Sequence, residues 1–312
     1  MRQLFIQTLT ALAKKDPRVV LLTGDLGFKI LDDYRATCTK QFLNVGVAEA
    51  SLIGMSTGMA MEGKIPFAYS IASFLIMRPF EHIRNDVAFH KANVKLVGVG
   101  GGFSYGPNGP SHHALNDVAL MRVLPEMTVL TPGDAREALW AVQAAHAHQG
   151  PVYIRLGRGG EGIVHQAPLS LALGKSIMLK DGQDIAILVS GLMLAHAVEV
   201  AAALEAQGKS VRLVSIPCVK PLDMEMLADT FKTCRYVFTL EEHSRHGGFG
   251  SAIAEAAIEY RLPVDKLHII AVPDKTIHET GSHAYLREQA GLTPAQMLKK
   301  IMQVTENYAH RT

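Results

Sequence analysis

A glutamate, Glu49, follows the strand-like Asn44-Val45-Gly46-Val47-Ala48 and opens a helical pattern that continues Ala50-Ser51-Leu52-Ile53-Gly54. A carboxylate at a strand-to-helix junction is rigidly aimed and can take part in general acid–base chemistry. The same position also suits a solvated first-turn glutamate favoured by the helix dipole. Two histidines stand side by side at His112 and His113. Imidazole titrates near neutrality and can move protons between hydroxyl and carbonyl oxygens. As a metal pair they are weak, since adjacent side chains diverge and no carboxylate or cysteine cluster accompanies them. His146 and His148, an H-x-H at the end of a helix pattern, read as solvated residues interacting with the C-terminal dipole.

Gly157-Arg158-Gly159-Gly160-Glu161-Gly162 has the form of a dinucleotide-binding turn and follows a strand pattern. That site needs a helix N-terminus to receive pyrophosphate, and here the chain continues Ile163-Val164-His165-Gln166-Ala167-Pro168. The turn is therefore read as a connection. No P-loop G-x-x-x-x-G-K-[ST] is present.

Short β-branched runs alternate with helical patterns along the chain, as in a parallel sheet covered by helices. Expected strands in the first half are Val19–Thr23, Ile65–Tyr69, Val94–Val99, Met127–Thr131 and Val152–Arg155. Helices are expected around Gln3–Lys15, Glu49–Glu62, Pro79–His90 and Asp134–His148, the last with Asp134 as N-cap. After Arg158 the chain turns polar and proline-containing as far as Gly174. A second series follows, with strands Ile185–Ser190, Val211–Ile216, Tyr236–Leu240 and Leu267–Val272. Its helices are Leu194–Gln207, Asp223–Lys232 and Gly250–Tyr260. The expected class is α/β, two doubly wound domains with largely parallel sheets, divided as 1–165, a linker at 166–174, and 175–312.

With 312 residues, 48% hydrophobic, the chain is long enough for two buried cores. A net charge of +2 without a basic tract argues against nucleic acid or an acidic membrane as partner. Three scattered cysteines, Cys38, Cys218 and Cys234, form neither a disulfide framework nor a thiolate metal site, which fits a reducing cytoplasm. No uninterrupted apolar run of about 18 residues points to a membrane span.

Three ordered segments resemble the pyrimidine-binding domain of the transketolase superfamily. They are Asn44-Val45-Gly46-Val47-Ala48-Glu49; Tyr69-Ser70-Ile71-Ala72-Ser73-Phe74-Leu75 leading to Glu81-His82-Ile83-Arg84-Asn85-Asp86; and Gly106-Pro107-Asn108-Gly109-Pro110-Ser111-His112-His113. Leu124-Pro125-Glu126-Met127 and Pro132-Gly133-Asp134 follow in order. The second half is similar to the superfamily's C-terminal domain through Thr239-Leu240-Glu241-Glu242-His243 and Gly247-Gly248-Phe249-Gly250-Ser251. Gly281-Ser282-His283 and Gly291-Leu292-Thr293-Pro294 close the set. The resemblance covers nearly the whole chain and extends to deoxyxylulose-phosphate synthases.

The resemblance implies thiamine diphosphate as cofactor and a role for each matching residue. Glu49 would hydrogen-bond the aminopyrimidine and drive its amino group toward the imino form. Phe74 would stack on that ring and Phe80 complete its wall, while Asp25 would lie beside the thiazolium. His112 would face the reacting carbon, and Arg2 and Arg158 would receive a sugar phosphate, for which guanidinium forks are suited. Lys29 and Asn108 stand where transketolases carry a phosphate-site serine and a hydroxyl-reading acidic residue. Gly98-Val99-Gly100-Gly101-Gly102 has no histidine where transketolases carry one.

The resemblance also implies what is missing. The superfamily grips the diphosphate through Mg²⁺ held by a Gly-Asp-Gly…Asn loop on another domain. Here Thr23-Gly24-Asp25-Leu26 lacks the second glycine, and no metal ligand is assigned to this chain. Magnesium demands near-octahedral oxygen ligands together with the phosphates, so a partner subunit carrying that loop is expected, in an α2β2 assembly. The implied activity is transfer of a two-carbon ketol unit between sugar phosphates or related aldehydes. Decarboxylation of a 2-oxoacid, of deoxyxylulose-phosphate-synthase or dehydrogenase β-subunit type, is the alternative; a noncatalytic regulatory homologue is a third.

Overall fold

Residues 1–309 are described in this computed structural model. Strands β1 (Val19–Thr23), β2 (Phe42–Asn44), β3 (Ile65–Ile71), β4 (Lys95–Val99), β5 (Thr128–Leu130) and β6 (Val152–Leu156) arise from the first half. The second half supplies β7 (Ile177–Lys180), β8 (Ile185–Val189), β9 (Val211–Ser215), β10 (Cys218–Lys220), β11 (Tyr236–Ser244) and β12 (Leu267–Val272). They form a seven-stranded sheet in the order β10-β5-β6-β4-β3-β1-β2 and a five-stranded sheet in the order β12-β11-β8-β9-β7. Pairing is parallel except at β10 against β5 and β7 against β9. This is the expected α/β architecture of two mostly parallel sheets with helices on both sides.

Side-chain alternation along each strand sorts the core into layers. Val19 and Leu21 of β1 face one cluster with Phe5 and Leu9 of helix Arg2–Ala13 and Trp140 of helix Ala135–Ala147. Val20 and Leu22 face the opposite cluster with Leu52 and Ile53 of helix Glu49–Met61. That second cluster runs on without a break into the other sheet through Ala186, Leu188, Val214 and Val237. The two sheets therefore share one apolar layer. Ile185, Ile187 and Val189 face a third cluster, covered by helices Leu194–Glu205 and Pro294–Ala309.

The structure departs from the sequence reading at identifiable places. β10 leaves the second series and pairs with β5 of the first sheet; three residues are too few for an alternation signal. The single helix expected over Pro79–His90 is divided. Helix Ala72–Met77 precedes Pro79, a short turn spans Phe80–His82, and a widened π turn covers Ile83–Ala88. Proline has no N–H to continue the ladder. β11 runs past the expected Leu240 to Ser244, so that Glu241, Glu242 and His243 lie inside a buried strand. Hydrophobic patterning cannot see a strand whose end is charged.

The connection after β6 is a packed strap. Leu169, Leu171 and Leu173 lie against the core, and Trp140 Nε1 donates to the Leu171 carbonyl at 2.7 Å. The backbone N–H groups of Val164 and His165 donate to Asp134 Oδ2 at 3.0 and 2.9 Å. Asp134 caps helix Ala135–Ala147 with its other oxygen, so one carboxylate ends the strap and starts the helix. His146 pairs with Asp16 Oδ2 at 3.0 Å, in place of the solvated position expected for it. Among the described residues no helix is long and apolar enough to cross a membrane.

Candidate functional site

In a parallel sheet the C-terminal ends of all strands share one edge, where ligands bind in open α/β folds. Asp25 and Lys29 follow β1, Glu49 follows β2, Phe74 follows β3, Asn108 and His112 follow β4, and Arg158 follows β6. Helix Arg2–Ala13 leads into the start of β1, so its N-terminus with Arg2 returns to the same edge. The topology thus gathers residues separated by up to most of the first half.

Glu49 is the first residue of its helix and only 4% exposed. Its Oε2 accepts from Arg78 Nη1 at 2.8 Å, and its Oε1 accepts from Ser70 Oγ at 3.4 Å. The Arg78 guanidinium lies 4.1 Å over the Phe74 ring. From Phe74 the contacts continue to His112, 4.8 Å away between ring centroids. Tyr105 lies 6.1 Å beyond His112, with Arg158 at 4.7 Å over it. Glu49, Arg78, Phe74, His112, Tyr105 and Arg158 form one continuous line of contacts.

Electrostatics on this line are set by burial and by Arg78. Burial lowers the His112 pKa and the Arg78 charge adds to the shift, so the imidazole is neutral at neutral pH. Ser111 Oγ lies 3.1 Å from its Nδ1. His113 is buried and meets the Phe103 ring edge-on at 5.2 Å, so the two histidines diverge as adjacent residues should. At the other end, Arg2 lies beside the buried Tyr69, whose ring stacks on Phe5 at 5.8 Å. Arg2 Nε, Tyr69 Oη and Ser73 Oγ are buried without a hydrogen-bond partner among the described residues.

Other candidates are placed differently. Asp25 adopts a left-handed φ of 58° and is held by Asn44, which donates from Nδ2 to Asp25 Oδ1 at 2.9 Å. Asn44 Oδ1 in turn accepts from the N–H groups of Asp25 and Gly46, both at 3.0 Å. Lys29, with a φ of 65°, and Asn108 are exposed on the same edge. Phe80 is not brought against Phe74. It packs on the core beneath and lines a groove of about 490 Å³ with Arg84, Phe89 and Leu124, because Pro79 turns the chain away. Among the described residues no group of three or more His, Cys, Asp or Glu is arranged to hold a metal.

Sequence reasoning missed Arg78, Tyr105 and Asn44. Arg78 stands four residues after Phe74 at the end of the apolar run Ala72–Met77, a helical spacing that stacks one side chain on the other. That spacing was a usable signal. Tyr105 and Asn44 carried none.

Residues 1–160 match the transketolase pyrimidine-binding domain and residues 174–297 the transketolase C-terminal domain. One of the two chains of an apulose-4-phosphate transketolase from Phocaeicola vulgatus is 34% identical over 284 residues, covering 90% of each chain. A 6-deoxy-6-sulfo-D-fructose transketolase subunit of a Clostridium species is 36% identical over 98% of this chain and 94% of its own. A split-gene transketolase solved as an inactive β4 tetramer superposes with a TM-score of 0.88, at 36% identity and 97% coverage of both chains. Sequence, domain content and backbone agree over almost the full length: the chain belongs to the transketolase family, built from that family's pyrimidine-binding and C-terminal domains.

Proposed function

We propose that this chain is the C-terminal-type subunit of a two-chain, thiamine-diphosphate-dependent transketolase that moves a two-carbon ketol unit between sugar phosphates or related aldehydes. The observation that carries the reading is the pairing of buried Glu49 with the half-buried ring of Phe74. A planar, nitrogen-bearing group, the Arg78 guanidinium, already rests on Phe74 and donates to Glu49. The two side chains thus present the stacking face and the acceptor that an aminopyrimidine needs.

When bound, thiamine diphosphate supplies a carbon nucleophile after its own aminopyrimidine takes up the ring proton. Glu49 would hold the hydrogen bond that biases the amino group, and Phe74 would fix the ring plane. Neutral His112 would move a proton at a substrate hydroxyl or carbonyl oxygen. Arg2 and Arg158 would receive a phosphate at the two ends of the line, and Asp25, Lys29 and Asn108 would border the approach. Phe80, turned outward, is left without a role in this reading.

The diphosphate and its Mg²⁺ would be held by a partner subunit, in an α2β2 assembly. Exposed apolar side chains on loops and helices of the same edge, Phe28, Val47 and Met77, give such a partner a surface to cover. All three cysteines are free and buried, consistent with a working place in the cytoplasm.

The test is reconstitution with the partner, expected from an adjacent gene. Ketol transfer from a ketose phosphate should appear only in the mixture, with a change in assembly size. Turnover by this chain alone would defeat the two-chain reading. Carbon dioxide release from pyruvate without ketol transfer would favour 2-oxoacid chemistry.

A further inference from the structure

The strand end carrying Thr239-Leu240-Glu241-Glu242-His243 is remote in sequence from every residue of the proposed site, yet it meets the loop that bears His112. That loop is pinched at its base, where Gly102 N donates to the Ala114 carbonyl at 2.9 Å and Ala114 N to the Gly102 carbonyl at 3.0 Å. Just inside the pinch, Phe103 N donates to Glu242 Oε1 at 2.6 Å. Glu242 is 1% exposed. The same carboxylate takes His283 Nε2 at 2.7 Å and Arg287 Nε at 2.5 Å.

A second strut lies beneath. Arg155 of β6 donates to the Ala114 carbonyl at 2.7 Å and to the Glu242 carbonyl at 3.0 Å, and pairs with Asp117 at 2.8 Å. Nearer the tip, Gly281 N donates to the Gly106 carbonyl at 3.3 Å. Gly102 has a φ of 64°, and the space a side chain would need there is filled by the Glu242 carboxylate. The loop and the glutamate are fitted to each other.

We propose that Glu242 is a positioning residue for the first half's chemistry: it sets the 102–114 loop, and through it His112 against Phe74. The proposal rests on the reading of His112 given above. A hydrogen bond from a backbone N–H to an ionised carboxylate is among the stronger ones, and a fully satisfied buried network holds its members in one arrangement. Burial alone would raise the Glu242 pKa, but Arg287 and His283 hold it well below the usual carboxylate range. The clamp is charged throughout the neutral range.

Glu241 is the internal control. Its carboxylate accepts from Phe249 N at 2.6 Å and Gly250 N at 2.7 Å, at the start of helix Phe249–Glu259, and bonds no residue of the His112 loop. Amide hydrogen exchange is measured on the full chain for Glu242→Gln and Glu241→Gln. Glu242→Gln should speed exchange of residues 103–114 by about tenfold while the strand amides of β1 and β8 stay as they are. Glu241→Gln should leave the loop unchanged.

In the reconstituted complex, Glu242→Gln should lower kcat by about tenfold, since misplaced catalytic groups are costly. KM should move less, and the acidic limb of the pH–rate profile should shift with the surroundings of His112. Loop exchange that stays at the wild-type rate, or that rises by the same factor in β8, would overturn the proposal. Should Glu242→Gln not fold, His283→Gln and Arg287→Met each remove one cationic partner and are read the same way. If His112→Ala keeps full activity in the complex, the His112 reading fails, and the exchange data still judge the clamp.

Discussion

The two sheets share a fold but treat their strand ends in opposite ways. At the end of β2 in the first sheet, Glu49 has a single cationic partner, Arg78, whose side chain is 49% exposed. Around it Arg2 Nε, Tyr69 Oη and Ser73 Oγ are buried without partners. At the end of β11 in the second sheet, Glu242 is enclosed by Phe103 N, His283 and Arg287, and Glu241 by two N–H groups of a helix start. One edge keeps unspent hydrogen-bonding capacity facing outward. The other has spent all of it on internal support, some of it on the first edge. The contrast teaches that the doubly wound fold decides where polar groups collect, while the satisfaction of those groups decides whether the place does chemistry or holds it.

The strongest way to break this contrast is at Glu49. Glu49→Gln should lower turnover of the reconstituted complex by about 10²–10⁴-fold and leave thermal unfolding of the free chain nearly unchanged, because its one charged partner is half in water. Near-normal activity would remove Glu49 from the chemistry. A large drop in melting temperature would place it among the supports.

The converse change lies under the clamp. Arg155→Met strands Asp117, which is 0% exposed and bonded to Tyr153 Oη as well as to Arg155. Breaking one side of a buried ion pair costs about 3–5 kcal/mol, measurable by denaturant unfolding. A loss below about 1 kcal/mol would show that the pair carries no structural load.

Acid should also act on the supporting edge. Burial depresses the His243 pKa from 6.5 to about 4, so below about 6.5 the unfolded chain takes up a proton that the folded chain refuses. The stability from this neutral histidine is present above pH 6.5 and is lost as pH falls toward 4, on the order of 3 kcal/mol in all. Glu241 acts in the opposite sense. Burial raises its pKa to about 7, so its contribution is full below about 4.5 and is lost as pH rises through 7. Unfolding series at pH 7, 5.5 and 4.5 separate them: His243→Gln should flatten the acid loss, and Glu241→Gln the loss on the alkaline side. Unchanged slopes would contradict both assignments.

The smallest expected effect sharpens the site edge. Phe74→Ala should weaken thiamine diphosphate binding by the complex by about three- to tenfold, the contribution of one aromatic contact of about 0.5–1.5 kcal/mol. Phe80→Ala, in the outer groove, should leave that affinity as it is. Titration calorimetry on the two variants reads the difference directly, and equal losses would return Phe80 to the site.

Much of the fold can be read from local pattern because its strands are apolar on both faces and its helices are long. β1, β8 and β12 lie where the β-branched runs place them, apart from one residue at the end of β8. The short β2, β7 and β10 escaped, since three or four residues carry no period. The gathering of Glu49, Phe74, His112 and Arg158 on one edge was within reach too, because consecutive strand ends of a parallel sheet must share a side. Phe80 was misplaced because apolar character alone does not say which way a chain turns at Pro79.

The sequence by itself determined the class of the fold, the family, and the positions around which a thiamine site is proposed, all of which are short-range properties of residue type and spacing. It could not show that Arg78 bridges Glu49 and Phe74, that β10 completes the first sheet, or that Glu242 holds the loop of His112 across 139 residues. Those depend on which polar groups find partners once distant segments meet. A buried carboxylate looks the same in a sequence whether its donors are solvent, a guanidinium or the backbone of another domain, and only packing distinguishes them.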